Sequence, residues 1–242
     1  MAPPEKQVFL TAEWRNLVML NYEVNGGLLQ QYVPRGTELD SFRGKTYLSL
    51  VGFEFRNTRL FGRFSVPFHA EFEEVNLRFY VRRKAGSEDR RGVVFIAEIV
   101  PKWAVAGLAR LVYGENYVCL PMKHRIRTNE PSSIAEYQWR RNGVWCRLHA
   151  HAPTAAAAVT KGSLEQFITE HYWGYASRRN GGVLEYRVAH VPWMVKTATA
   201  AGFEGDMKTL YGPKLARILE GQATCAFIAE GSPVIVYKGL RI

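Results

Sequence analysis

The chain has 242 residues, with 32 Lys and Arg against 22 Asp and Glu, a formal net charge of +10. A hydrophobic fraction of 47% with 13% aromatic residues supplies a packed core and excludes disorder. No apolar run approaches the roughly 18 residues that a membrane helix needs, and the opening MAPPEKQVFL has neither the basic nor the apolar segment of a secretion signal.

The length suits one large domain or two small ones. No linker, composition shift or repeat divides the chain, so residues 1–242 are read as one mostly-β domain with a few covering helices. In chain order, Leu17–Val24 reads as a strand and Gly27–Tyr32 as a short helix stopped by Val33-Pro34. A hairpin-like Phe42-Arg43-Gly44 leads into the β-rich run Lys45–Phe55. Glu74–Arg82 and Gly92–Val100 flank a polar loop and suit a hairpin. Ala104–Tyr113 has helical spacing. Ala135–Arg141 and Val144–His149 flank Asn142-Gly143, a type I′ turn dipeptide. Ser163 and Gln166 have capping-box spacing before a stripe of Leu164, Phe167, Ile168 and Tyr172. Asn180-Gly181-Gly182 precedes the strand Val183–His190. Met207–Leu210 reads as a loop or short turn, and Ala223–Ala229 and Val234–Lys238 flank a Gly-Ser-Pro turn.

One strand carries the most functional information. In Glu74–Arg82 the residues Val75, Leu77, Phe79 and Val81 share one face, and Glu74, Asn76, Arg78, Tyr80 and Arg82 share the other. A wholly polar face is either solvated or lines a polar cavity. In the second case Arg78 holds an anion, because a guanidinium fork matches a carboxylate. Glu74, Asn76 and Glu115 then orient the ligand or move a proton.

Other constellations are weaker. His149-Ala-His151 has a metal-capable spacing with His190 as a third candidate, but no acidic partner stands at a telling distance, so no metal is assigned. Cys119 lies near His124, and a buried structural cysteine is the favoured reading. Three cysteines, odd in number and without CxxC, suit free thiols in a reducing cytoplasm. No GxSxG, GxGxxG or P-loop is present, so no cofactor is implied. Lys123 is a candidate amine nucleophile if a cation such as Arg125 or Arg127 lowers its pKa; an exposed basic loop is the plainer reading. His190-Val-Pro-Trp193 ends a strand, and His190 is able to face a pocket. The basic clusters Arg82-Arg83-Lys84, Arg90-Arg91 and Lys123–Arg127 are short, so nucleic-acid binding is a low alternative resting on charge alone.

Several ordered phrases are similar to the YqjF-like family of bacterial proteins. They are Tyr32-Val-Pro-Arg-Gly-Thr-Glu-Leu-Asp40, Glu74-Val-Asn-Leu-Arg-Phe-Tyr-Val81, Ala109-Arg110 with Tyr113, Gly162-Ser-Leu-Glu-Gln-Phe167 with Tyr172, and His190-Val-Pro-Trp193. The resemblance implies the fold of acetoacetate decarboxylase, a curled antiparallel sheet forming a cone-like barrel around a pocket. It places Arg15 where that enzyme has a substrate-binding arginine. Gly114-Glu115 resembles its Gly-Arg-Glu segment without the arginine, and Pro121-Met122-Lys123 resembles its Pro-Lys-Lys. The imine-forming lysine is there the first of the two, and here that position is Met122, which forms no imine. The expectation is therefore a protein that binds, or binds and transforms, a small anionic organic molecule through Arg15, Glu74, Asn76 and Arg78, with Lys123 and Glu115 as catalytic candidates. The alternative is a non-catalytic binding or interaction protein, and a homo-oligomer is left open.

Overall fold

The structure, a computed structural model, describes residues 7–65, 69–112, 114–129, 131–178 and 181–242. Tyr113 and Asn180 lie outside the described residues. The main strands are β1 (Val8–Val24), β2 (Thr46–Leu60), β3 (Phe72–Ala85), β4 (Glu88–Val100), β5 (Tyr117–Cys119), β6 (Met122–Asn129), β7 (Ser132–Arg141) and β8 (Val144–Pro153). They continue as β9 (Trp173–Ser177), β10 (Val183–Ala189), β11 (Met194–Thr197), β12 (Ala200–Glu204) and β13 (Cys225–Tyr237). The helices are α1 (Gly26–Leu29), α2 (Trp103–Val112), α3 (Leu164–Thr169) and α4 (Lys208–Leu219).

The large sheet runs β11-β13-β1-β2-β3-β4-β9-β10, and β10 pairs again with β13, so the sheet curls back to its own strand. It is mixed: β4 pairs in parallel with β5 and with β9, where an all-antiparallel sheet was expected. A smaller sheet, β12-β8-β7-β6, lies against it. The β7–β8 hairpin turns at Asn142 and Gly143, with φ of 48° and 82°. Those two positive φ values are what a type I′ turn requires. Ser163 caps α3, its hydroxyl accepting from the Gln166 amide at 3.2 Å.

From Glu74 to Val81 both faces of β3 are buried, and Arg82 beyond them is partly exposed. Val75, Leu77, Phe79 and Val81 join a core with Tyr137, Trp139 and Leu148 of the small sheet and Tyr211 and Leu215 of α4. The polar face turns into the curl. A solvated strand is thereby excluded, and the alternation of the sequence is explained by two different buried environments.

Two expected features differ. Gly231-Ser232-Pro233 is not a turn, because β13 continues through it as one strand. Gly231 sits at φ 78° and pairs with Arg15, where β1 carries its own bulge at Asn16 (φ 55°). The glycine absorbs the irregularity without ending the strand. Residues 207–210 are not a loop but begin α4, whose pattern is hidden by Gly212-Pro213; Gly212 leaves helical geometry at φ 76° and kinks the helix. A Cβ at Gly231 would stand 1.9 Å from the Trp14 carbonyl oxygen. Gly231→Ala is expected to lower unfolding free energy by at least about 2 kcal/mol. A denaturant midpoint equal to wild type would show that this bulge relaxes freely.

Among the described residues no helix is long and apolar enough to cross a membrane.

Candidate functional site

The curl encloses a cavity of about 150 Å³. A site of that size accommodates a small organic molecule, on the order of benzene. Much of its wall is apolar: Trp14, Leu17, Phe55, Phe72, Phe95 and Trp193 contribute. Backbone irregularities create this wall. In a regular strand Trp14 and Leu17 would face opposite sides, and the bulge at Asn16 brings both inward. The β3–β4 register likewise slips between Leu77/Ala97 and Arg78/Phe95, leaving Ile96 as the extra residue. That slip puts Phe95 and Glu98 on the same side.

Glu98 therefore joins Glu74 and Glu115 in an acidic pole. All three are buried. Asn76 Nδ2 donates to Glu74 Oε1 at 2.9 Å, the Tyr117 hydroxyl donates to Glu74 Oε2 at 3.3 Å, and the Tyr186 hydroxyl donates to Glu115 Oε1 at 2.5 Å. Burial pushes the Glu115 carboxyl up to about 8, Glu74's charge adding and the Tyr186 bond opposing. Burial also raises Glu74 to about 7, against its bonds from Asn76 and Tyr117 and the nearby charge of Arg78. Glu98 is raised well above the carboxylate range, by burial and then by Glu115 and Glu74. At neutral pH this pole holds protons that it can give up.

Arg78 is on the same strand face as Glu74 and is 7% exposed. Among the described residues no carboxylate lies within 4 Å of it, and its Nε has no hydrogen-bond partner. Its guanidinium carbon lies 5.9 Å from the centre of the Tyr80 ring, and its charge works against the burial that raises the Tyr80 phenol. Tyr80 in turn bonds Ser49 at 2.7 Å, and Ser49 donates to Asn21 at 2.6 Å. The carboxylate partner expected for Arg78 is absent, because the glutamates of its strand face one another and bind phenols instead.

Two histidines share the cavity wall with Arg78. His171 follows α3 and packs against Tyr80, the ring centres 4.6 Å apart and the planes tilted by 43°. Its Nε2 donates to Asp40 at 3.0 Å, while Nδ1 has no partner. Burial pulls its pKa down to about 4, so the ring is neutral at pH 7 and the contact is a hydrogen bond, not an ion pair. Burial opposes ionisation of Asp40, but bonds from His171 and Arg91 (2.7 Å) hold it down at about 2. His190 lies between Trp193 and Tyr172, at 4.4 and 4.8 Å, and its pKa is lowered by burial.

Of the residues proposed from the sequence, Glu74, Asn76, Arg78 and Glu115 converge on this cavity. Arg15 does not. It sits on the strand face opposite Trp14, where Nε and Nη2 donate to Glu13 at 2.9 and 2.6 Å. Lys123 does not either: β6 belongs to the small sheet, and Lys123 is exposed with its Nζ 4.3 Å from the Trp145 ring. Met122, its neighbour, turns inward and packs on the core. Cys119 is exposed, not buried, and His124 bonds Glu73 at 2.7 Å and Glu54 at 3.2 Å. His149 and His151 lie 6.0 Å apart, and among the described residues no three potential ligands gather for a metal. Sequence reasoning missed Glu98, Tyr117, Asp40, His171 and Tyr186 as parts of the site.

The curled sheet around this cavity is the acetoacetate-decarboxylase-like fold. Solved structures show it directly. Acetoacetate decarboxylase from Legionella pneumophila superposes with a TM-score of 0.63 at 12% identity, over 100% of this chain and 92% of that one. An acetoacetate decarboxylase-like enzyme from Sphingomonas wittichii RW1 gives 0.64 at 12% identity, over 96% and 92%. The enduracididine biosynthesis enzyme MppR in complex with pyruvate gives 0.67 at 10% identity, over 100% and 91%.

Within that fold the chain belongs to the DUF2071 family, described as uncharacterized conserved proteins, whose pattern matches residues 11–233. It is similar to the uncharacterized protein YqjF of Bacillus subtilis (strain 168), 28% identical over 190 residues, which are 77% of this chain and 75% of that protein.

Proposed function

We propose that this protein binds a small organic carboxylate in the cavity, with Arg78 receiving the carboxylate and the glutamate pole serving proton transfer. The observation that carries the reading is Arg78 itself, a buried guanidinium with no carboxylate within 4 Å among the described residues. A buried cation without a counter-ion is costly, and an anionic ligand removes the cost. Glu115, protonated at neutral pH, is the general acid, and Glu74, near half-protonated, is the group that exchanges the proton back. That MppR is described in complex with pyruvate, a small carboxylate, supports the class of ligand.

The reaction is not the imine route. No lysine is among the described cavity-lining residues. Borohydride added with a β-keto acid is expected to leave the protein mass unchanged, and a stable adduct on Lys123 would overturn this. The reading as a whole is tested by thermal shift across two- to six-carbon carboxylates; a protein that responds to none of them does not have this function.

Nucleic-acid binding stays the lower alternative, resting on the net charge of +10; Arg82, Arg83, Arg90 and Arg91 each pair with a carboxylate, Glu38, Glu185, Glu185 and Asp40. The three free cysteines support a reducing, cytoplasmic setting.

A further inference from the structure

We propose that the ligand of this cavity is a zwitterion, whose primary ammonium group docks between Glu74, Glu98, Glu115 and Asn76 while its carboxylate meets Arg78. The inference rests on the carboxylate reading above and names the other end of the molecule.

The argument begins with hydrogen-bond acceptors. Asn76 is 1% exposed and lines the cavity. Its Nδ2 is used on Glu74, and its Oδ1 has no donor. A buried amide oxygen costs free energy when left unmade. Unlike a carboxylate, it cannot relieve that cost by taking up a proton near neutral pH. Glu98 Oε2, equally buried, also lacks a donor. The phenol and amide donors at hand are committed: the Tyr186 hydroxyl to Glu115, and the Tyr117 hydroxyl and the Asn76 amide to Glu74. Once the carboxyls give up their protons, this end of the cavity has acceptors to spare. A ligand group that answers them must bring several N–H donors and a positive charge, which describes an ammonium.

The other end has the opposite need. Among the described lining residues Arg78 is the one arginine or lysine. Glu74 and Arg78 are four residues apart on one strand face, so their backbones are roughly 13 Å apart and their side chains leave a gap for a short chain. Phenyl rings of Phe55 and Phe72 in the same wall suit methylene groups.

Protonation agrees with this geometry. Glu98 is faced by Glu74 from its own strand's partner, by Glu115 and Tyr117 from the segment after α2, and by Tyr211 of α4; Tyr186 and Arg78 complete the charged surroundings. These carboxyls hold protons in the empty cavity. An arriving ammonium favours their ionised forms, so its binding must release protons.

Calorimetric titrations of the wild-type protein with butanoate, pentanoate and hexanoate, each beside its ω-amino counterpart and the matching alkylamine, test this. At one chain length the amino acid is expected to bind at least about tenfold tighter than the plain carboxylate. Repeating the titration in buffers of different ionisation enthalpy should show net proton release on its binding. In Glu98→Gln the advantage should fall towards one, and if that variant does not fold, the wild-type proton count decides. Plain carboxylates that bind as tightly as their amino counterparts, with no proton released, overturn the zwitterion and leave the carboxylate reading intact. Alkylamines that bind with proton release while no carboxylate binds keep the ammonium pole and overturn the carboxylate reading instead.

Discussion

Arg78→Met is expected to weaken carboxylate binding by at least about a hundredfold without lowering the melting temperature. The affinity loss follows from truncating the charged half of a desolvated pair, which costs roughly 2–5 kcal/mol, and about 2.7 kcal/mol is already a factor of a hundred. The stability expectation runs against intuition for a buried arginine. Where such a residue is ion-paired, removing it strands a charge. Here Arg78 Nε has no partner, and the guanidinium leans on the Tyr80 ring and phenol without a carboxylate within 4 Å among the described residues. Met keeps most of the apolar stem and removes a desolvated cation, and Tyr80 retains its bond to Ser49. Thermal melting and carboxylate titration of the two proteins check both halves. A mutant that melts several degrees lower would mean that Arg78 is a structural ion-pair member, and one that binds like wild type would mean that another group holds the anion.

The polar face of β3 was legible in the sequence because its alternation is strict from Glu74 to Arg82, and a period of two survives wherever the strand is regular. The same logic failed one strand later. Counting by twos puts Glu98 with Val94 and Ile96, on the core side. The bulge at Ile96 reverses that parity, and Asn116 Nδ2 holds the bulged carbonyl at 3.2 Å. Nothing in Gly92–Val100 marks the slip, so Glu98 was invisible as a carboxylate of the site. His171 was hidden for another reason: it follows a helix end, 131 residues from the Asp40 that orients it, and only the fold brings the two together. Arg15 and Lys123 show the converse limit. Resemblance to acetoacetate decarboxylase gives the right sheet, but Arg15 pairs with Glu13 and Lys123 faces outward over Trp145. Fold similarity at 10–12% identity carries the scaffold and not the chemistry.

The melting temperature of the ligand-free protein is expected to fall steadily as pH rises from about 5 to 8, through the glutamate pole. Glu115 has a folded-state value of about 8 against an ordinary 4.5. A group raised on folding contributes its stability in full below the unfolded value and loses it as pH climbs to the folded one. Glu74, raised to about 7, and Glu98, raised well above the carboxylate range, have the same sign. Each unmatched proton is worth about 1.4 kcal/mol per pH unit, so the cluster dominates a pH profile in which surface groups are nearly silent. Asp40 and His171 work in the opposite direction: Asp40, held at about 2 against an ordinary 3.8, stabilises above 3.8 and loses that contribution as pH falls through 2, and His171, held at about 4 against an ordinary 6.5, costs stability increasingly as pH falls from 6.5 to 4, one proton set against the three of the glutamates. Maximum stability should therefore lie near pH 4–5, below the neutral range. Melting curves across this range, for wild type and for the double variant Glu98→Gln with Glu115→Gln, separate the cause. The amide variant keeps the shape of both side chains and cannot ionise, so its curve should be flatter and its melting temperature at pH 8 higher. A wild-type profile already flat between about pH 5 and 8 would mean that water reaches these carboxyls and holds their charges, and the acidic pole would then have no stored protons to exchange with a ligand.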